Sequence, residues 1–109
     1  MTAKECIDKM TEVIVRQFDP LRVVLFGSHA RGDASPDSDV DFLVVLPSVE
    51  DKRAAAVRIR RALDDFPAAK DIIVTTPEEI ERRGHLVGTV LRPALREGRT
   101  IYERSAGHR

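Results

Sequence analysis

The sequence has a single cysteine, no excess of charge of either sign and no long apolar run, and each absence excludes a class of protein. Cys6 has no cysteine to pair with inside the chain, so an internal disulfide is excluded and we expect a reducing cytoplasm. Basic and acidic residues number 18 each, which disfavours non-specific nucleic-acid binding because that binding needs a broad basic excess. No stretch approaches the ~20 apolar residues that span a bilayer, and the N-terminal residues lack the apolar core of a signal peptide. We therefore expect a cytoplasmic protein without membrane contact.

The length and the apolar content predict one folded unit. The chain has 109 residues, of which 42% are hydrophobic, and compact domains most often hold ~100–150 residues. Two cores would leave each half too small to be stable. We expect a single domain over residues 1–104 and a disordered polar tail over residues 105–109.

The N-terminal third predicts a helix followed by a buried strand. Thr2 and Glu5 have the spacing of a capping box, and apolar residues then recur at helical spacing over Ala3–Phe18. Pro20 disfavours helical angles at Asp19, so the helix should end there. The β-rich residues 21–26 follow as the first strand.

The middle of the chain predicts two more strands joined by a helix. A short helical turn and a loop should occupy residues 29–38, with a second strand over residues 39–46. Ser48 is a candidate N-cap for the next helix, whose apolar stripe contains Ala55 and Ile59. The remaining helix positions hold Arg53, Arg58, Arg60 and Arg61, which are best interpreted as a solvated face. A third strand is predicted over residues 71–75.

The C-terminal third predicts helices and one short edge strand. Thr76 and Pro77 have the pattern of a helix start, and a further helix is expected over residues 85–97, kinked or restarted at Pro93 and capped by Gly98. Residues 100–102 should add an edge strand. The order of elements predicts an α/β (α+β) fold, in which helices flank a small mixed β-sheet.

The candidate site begins with Gly27-Ser28 and continues, ten residues later, with Asp39-Val40-Asp41. Because side chains alternate along a strand, Asp39 and Asp41 should point to the same face. Two carboxylates so close together repel each other unless a divalent cation lies between them, and Mg²⁺ prefers such oxygen ligands. Asp71, at the start of the third strand, is the natural third ligand of a two-metal site.

Gly27 and Ser28 suit the binding of a phosphate group. A glycine lets the backbone approach closely, and a hydroxyl beside the N–H groups of a helix start can hold an anion. Arg31 follows in the same loop, where it is either a further phosphate ligand or a solvated side chain. An isolated Asp-x-Asp is weak evidence of a metal site, but a random chain of this length would match all four residues at this spacing only roughly once in a thousand cases.

The four residues, with Arg31-Gly32 between them and Asp37-Ser38 before the acids, resemble the signature of the DNA polymerase β-like nucleotidyltransferase superfamily. In length and layout the chain is most similar to its minimal branch (MNT), the antitoxins of HEPN/MNT toxin–antitoxin pairs. The resemblance implies a nucleotidyltransferase fold, two Mg²⁺ ions bound by Asp39, Asp41 and Asp71, and contact of Gly27 and Ser28 with the nucleotide phosphates. It also implies transfer of AMP from ATP to a tyrosine of a HEPN-family RNase toxin, within a hetero-oligomer of toxin and antitoxin.

Two other functions remain open at the level of sequence. The chain could be a binding module that keeps the fold and neutralises its partner by covering it, for which a domain of this size has enough surface. It could also be a free-standing transferase that acts on a small hydroxyl compound, although the short chain leaves little room for an acceptor pocket.

Overall fold

The computed structural model describes residues 2–35, 37–83 and 98–104. Within these residues the chain alternates helices with strands, in the order expected for a mixed α/β fold. The elements are α1 (Ala3–Phe18), β1 (Arg22–Phe26), α2 (Ser28–Arg31), β2 (Val40–Val45), α3 (Lys52–Ala62), β3 (Lys70–Thr75), α4 (Pro77–Arg83) and β4 (Arg99–Glu103).

The strands form one mixed sheet in the order β3-β2-β1-β4. β1 is antiparallel to both of its neighbours, β2 and β4, whereas β2 and β3 are parallel and joined through α3. β4 lies at an edge of the sheet, which confirms the edge strand predicted around residues 100–102. The predicted fold class, helices flanking a small mixed sheet, is confirmed.

Helix α1 forms where the capping signal predicted it. The Thr2 hydroxyl accepts from the Glu5 backbone N–H at 3.1 Å, and the Glu5 carboxylate accepts from the Thr2 backbone N–H at 2.9 Å. The Thr2 backbone N–H that the carboxylate accepts from, and secondarily the Thr2 hydroxyl, lower the pKa of Glu5 because they favour its ionised form. The helix ends at Asp19, whose left-handed backbone (φ 50°) turns the chain toward β1.

The main core lies on one face of the sheet, where α1 and α3 pack. Its members are buried apolar residues that lie in α1, α3, β1, β2 and β3 or directly follow one of them: Cys6, Ile7, Met10, Ile14, Val23, Leu25, Val40, Phe42, Val44, Leu46, Ala55, Ile59, Leu63, Ile72 and Val74. A smaller cluster on the opposite face contains Val24 and Leu43, with Phe26 and Ile73 against it. Side chains that alternate with the main core, Asp41 among them, therefore belong to this second face.

The structure corrects one cap and, by one residue each, the starts of three strands: β1 begins at Arg22 and not at residue 21, and β3 at Lys70 and not at residue 71. Ser48 does not cap α3; the N-cap is Asp51, whose carboxylate accepts from the Ala54 backbone N–H at 3.1 Å. Ser48 precedes the helix by four residues, and the intervening Val49 packs against the core, so the chain has not yet turned into the helix. β2 begins at Val40, which leaves Asp39 just outside the strand.

Other expectations are confirmed or lie outside the described residues. The four arginines of α3 are exposed, as expected of a solvated face. No helix in the described ranges is long and apolar enough to cross a membrane. The predicted helix over residues 85–97, with Pro93, and the tail over residues 105–109 fall outside the described residues.

Candidate functional site

The predicted site residues meet at one end of the sheet, where β1 ends and both β2 and β3 begin. Phe26, the last residue of β1, is the register partner of Asp41, and Gly27-Ser28 follows it directly. Asp41 is in turn the register partner of Asp71 on β3. The antiparallel pairing of β1 with β2 and the parallel pairing of β2 with β3 thus bring the glycine turn and the acidic residues together.

Asp41 and Asp71 lie side by side on the same face of the sheet. Register partners on neighbouring strands point to the same face, and their backbones are ~4.8 Å apart. Asp39 lies two residues before Asp41 and is exposed, as is Asp71, whereas Asp41 is half-buried. The sequence suggested Asp71 only from its place at a strand start, and the structure places it beside Asp41.

The acidic residues interact electrostatically. The pKa of Asp41 is raised above its ordinary value, first because burial disfavours the charged form and then because Asp71 and Asp39 repel it. His29 and Arg31 oppose this rise with smaller attractive contributions. A cation held between the three carboxylates would remove the repulsion, so the donor set fits a hard divalent metal such as Mg²⁺.

The three carboxylates, as the structure places them, are not yet arranged around a common metal position. Among the residues that the structure describes, no three histidine, cysteine or acidic side chains are grouped closely enough to hold an ion as they stand. Asp39, Asp41 and Asp71 would therefore have to turn toward one another around the metal. Two of the three are exposed and free to change rotamer, which makes such a rearrangement feasible.

Gly27 is required by the geometry of the turn. Its backbone has φ 76° and ψ −157°, a region that only glycine occupies readily. A Cβ at this position would lie 2.2 Å from Oδ2 of Asp41, which is far inside van der Waals contact. The missing side chain thus lets the Asp41 carboxylate lie directly against the turn that leads to Ser28.

Helix α2 is a single turn that carries Ser28 at its start and Arg31 at its end. Ser28 is half-buried, and its carbonyl accepts from the backbone N–H groups of Gly32 and Asp33. Arg31 is exposed; its Nε donates to Oδ2 of Asp33 at 3.3 Å, and its charge also reaches Asp41. Gly32 ends the turn with a left-handed backbone (φ 88°).

His29 is a neighbour of the acids, and sequence reasoning assigned it no role. Its Nε2 lies 3.3 Å from the Ser38 carbonyl oxygen, and its charge acts on Asp41. The only signal in the sequence was a histidine inside the Gly-Ser to Asp-x-Asp loop, which does not reveal that the chain folds back on itself there.

A cavity of about 730 Å³ lies next to this loop, between the start of α1 and Pro67-Ala68. Val40 lines it, and Val40 points to the face opposite Asp41. The cavity is therefore not an acceptor pocket that opens onto the acidic residues.

The chain is similar in sequence to one curated protein over half of its length. A curated relative, a candidate protein adenylyltransferase of Methanocaldococcus jannaschii, is 35% identical over 57 residues, which cover 50% of this chain. The chain spans 54% of that relative, about half of its length.

Two solved structures have the same fold. A candidate nucleotidyltransferase from Sulfolobus solfataricus superposes with a TM-score of 0.64 at 22% identity, covering 92% of this chain and 79% of that one. A toxin–antitoxin structure with AMP-PNP gives a TM-score of 0.56 at 21% identity, covering 95% and 76%. At these identities the likeness concerns the fold alone.

A family model also matches most of the chain. The model described as "Nucleotidyltransferase domain" matches residues 7–100, a range that holds the glycine turn, all three acidic residues and every strand of the sheet except the end of β4. The chain belongs to this nucleotidyltransferase domain family.

Proposed function

We propose that the chain is a Mg²⁺-dependent nucleotidyltransferase that transfers AMP from ATP to a hydroxyl group of a partner protein. The observation that carries the proposal is the register of the sheet, which sets Asp41 beside Asp71 and directly behind the Gly27-Ser28 turn. Membership of the family supports the reaction class.

In this proposal Asp39, Asp41 and Asp71 hold two Mg²⁺ ions, while Gly27 and Ser28 contact the triphosphate. The ions, when bound, neutralise the phosphate charge and favour the ionised hydroxyl. A bound ion would favour the charged form of the half-buried Asp41, whose pKa is raised by burial and by the neighbouring Asp71 and Asp39. Arg31 stands close enough to Asp41 to act on the same charges and is a further phosphate contact.

The transfer is a displacement at the α-phosphorus of ATP. The acceptor oxygen forms a bond to that phosphorus, the bond from the phosphorus to the β-phosphate bridging oxygen breaks, and pyrophosphate leaves. The hydroxyl proton is released to water. The chain's own contribution is to orient the triphosphate on the glycine turn with the acidic residues beside it.

The acceptor that we propose is a tyrosine of a HEPN-family RNase toxin, which this antitoxin silences in the cytoplasm. A candidate protein adenylyltransferase among the relatives supports protein as the acceptor, and the toxin–antitoxin with AMP-PNP supports the partner class and an adenine nucleotide. Residues 1–104 would act as one domain.

A second candidate is a binding module that neutralises its partner by covering it. The observation that favours it is the absence, within the described residues, of three ligand side chains already grouped around a metal site. A module of this kind would protect against the toxin without any nucleotide transfer.

The deciding experiment is the intact mass of the protein encoded by the adjacent gene, co-expressed with this chain. We expect a gain in steps of one AMP with the wild type and none with Asp39→Asn/Asp41→Asn. The matched control is Asp64→Asn/Asp65→Asn, which removes the same charge from exposed positions after α3 and should leave the gain unchanged.

The two candidates differ in a second measurement on the same strains. If Asp39→Asn/Asp41→Asn still protects cells and no mass gain occurs with the wild type, the binding module is the correct function. If the mass gain persists in that double variant, the acidic residues are not the metal ligands and the proposed site is wrong.

A further inference from the structure

The loop between α2 and β2 connects the proposed phosphate contact with the first proposed metal ligand. It leaves α2 after Arg31 and reaches Asp39 immediately before β2. Asp41 is fixed by register partners on both neighbouring strands, Phe26 and Asp71. Asp39 precedes the strand and has no such partner in the described sheet. The residue after it, Val40, is held at the start of β3, because its backbone N–H donates to the Ala69 carbonyl at 2.9 Å. On the other side, the position of Asp39 depends on the residue before it.

That residue, Ser38, is held by three hydrogen bonds to Ser35. Its backbone N–H donates to the Ser35 carbonyl at 3.0 Å, and its hydroxyl oxygen accepts from the Ser35 backbone N–H at 2.9 Å. The two hydroxyl oxygens are also 3.2 Å apart. All three contacts join residues of the same loop, so they do not set the distance between Ser38 and α2.

His29 connects this turn to α2. Its ring Nε2 lies 3.3 Å from the Ser38 carbonyl oxygen, across nine positions of sequence. A carbonyl oxygen can only accept, so Nε2 must carry the proton and donate it. His29 is half-buried and directly follows Ser28, so the bond joins the phosphate-binding turn to the residue before Asp39.

We propose that His29 is a positioning residue that, through Ser38, holds Asp39 at a fixed place relative to the Gly27-Ser28 turn. The inference rests on the proposed function, because it concerns the same metal and nucleotide site. The Ser35–Ser38 turn would set the shape of the loop end, and the imidazole would set its distance from α2. His29 itself touches neither metal nor nucleotide in this arrangement.

Two variants separate the hydrogen bond from the ring. His29→Phe keeps an aromatic ring of similar shape and removes the donor, whereas His29→Gln loses the ring and its charge but retains an amide N–H that can reach the same carbonyl. The measurement is the Mg²⁺ concentration at half-maximal ATP binding, by calorimetry on the purified full chain. Thermal unfolding without metal, and ATP binding in EDTA, are measured alongside.

We expect His29→Phe to raise the half-maximal Mg²⁺ concentration about threefold to tenfold, the range that loss of one hydrogen bond predicts. His29→Gln should stay within about twofold of the wild type, and neither variant should change ATP binding in EDTA. If His29→Phe does not fold, His29→Ala replaces it with the same expectation.

Two kinds of result would overturn the inference. If both variants show the wild-type Mg²⁺ dependence, or if His29→Gln is as impaired as His29→Phe, the hydrogen bond does not position Asp39. If the wild type itself binds ATP without any dependence on Mg²⁺, the proposed function fails as well. That result is distinguishable from a failure of the His29 inference alone, because it is seen in the wild type before any variant is compared.

Discussion

Replacing Gly27 by alanine tests whether the close approach of Asp41 to the glycine turn is needed for the site. The new Cβ would lie 2.2 Å from Oδ2 and 3.2 Å from Cγ of Asp41, so the carboxylate would have to move away. The backbone at Gly27 (φ 76°, ψ −157°) would be strained as well. The contact displaces Asp41, which the proposed metal site requires, and the strain distorts the turn that leads to Ser28.

Three contributions set the change in the free energy of unfolding that Gly27→Ala causes. The glycine-only backbone region costs a residue with a Cβ roughly 1–3 kcal/mol. Displacing Asp41 from its preferred rotamer adds about 0.5–1.5 kcal/mol. The reduced entropy of the unfolded chain returns about 0.4–1 kcal/mol. We therefore expect Gly27→Ala to lower the free energy of unfolding by about 0.5–4 kcal/mol, with Mg²⁺-dependent ATP binding lost.

Gly32→Ala is the matched control, because Gly32 also has a positive φ (88°) but has nothing within 4 Å of its would-be Cβ. Its left-handed backbone costs about 1–2 kcal/mol for a residue other than glycine, and no side chain needs to move. Urea unfolding and ATP titration with Mg²⁺ measure both variants. If Gly32→Ala impaired ATP binding as severely as Gly27→Ala, backbone strain in the loop would be the cause, and the reasoning from Asp41 would be refuted.

Three further predictions concern stability. Asp41→Asn should raise the melting temperature at pH 7 in EDTA and make no difference near pH 3. Because the pKa of Asp41 is raised in the folded chain, stability is lost as the pH rises from the ordinary carboxyl pKa through the raised one. Asparagine does not ionise, so the variant does not lose this stability. An equal melting temperature at pH 7 would show that neither burial nor the neighbouring acids disfavour the charged form of Asp41. Thr2→Ala should lower the free energy of unfolding by about 1 kcal/mol through loss of the α1 cap, measured by urea denaturation. Ile59→Ala, at a fully buried position, should cost about 2–5 kcal/mol in the same assay, whereas Val57→Ala, 43% exposed on the same helix, should stay within about 0.5 kcal/mol.

Local signals predicted the elements of this fold well. The capping box at Thr2 and the apolar period behind it act within a few residues, and α1 has the predicted bounds. The end of α1 was also predicted, although the left-handed turn at Asp19 contributes in addition to Pro20. Ser48 failed as a cap because several polar residues before α3 can accept an N–H bond, and only the packing of Val49 decides which one does.

Contacts between distant residues were less accessible from the sequence. Asp71 has no motif of its own, and only the parallel register of β2 and β3 sets it opposite Asp41. The same holds for His29, because a bond to a main-chain carbonyl nine residues away leaves no side-chain pattern to detect. The sequence therefore predicted Asp39 and Asp41 from a motif and Asp71 from its strand start alone, while the pairing of strands and the fold of one loop set how these residues lie relative to one another.

The division of the sheet into two faces explains how so small a domain can hold three acids together. Repulsion among them and the partial burial of Asp41 oppose folding, as the raised pKa of Asp41 shows. The main core lies on the other face, where α1 and α3 cover the strands, so the hydrophobic stabilisation does not depend on the acidic residues. The acids can then be replaced without loss of the core, and a metal ion would stabilise the same face that repulsion destabilises. For this reason a failure of the acidic variants to bind ATP would report on the site and not on the fold.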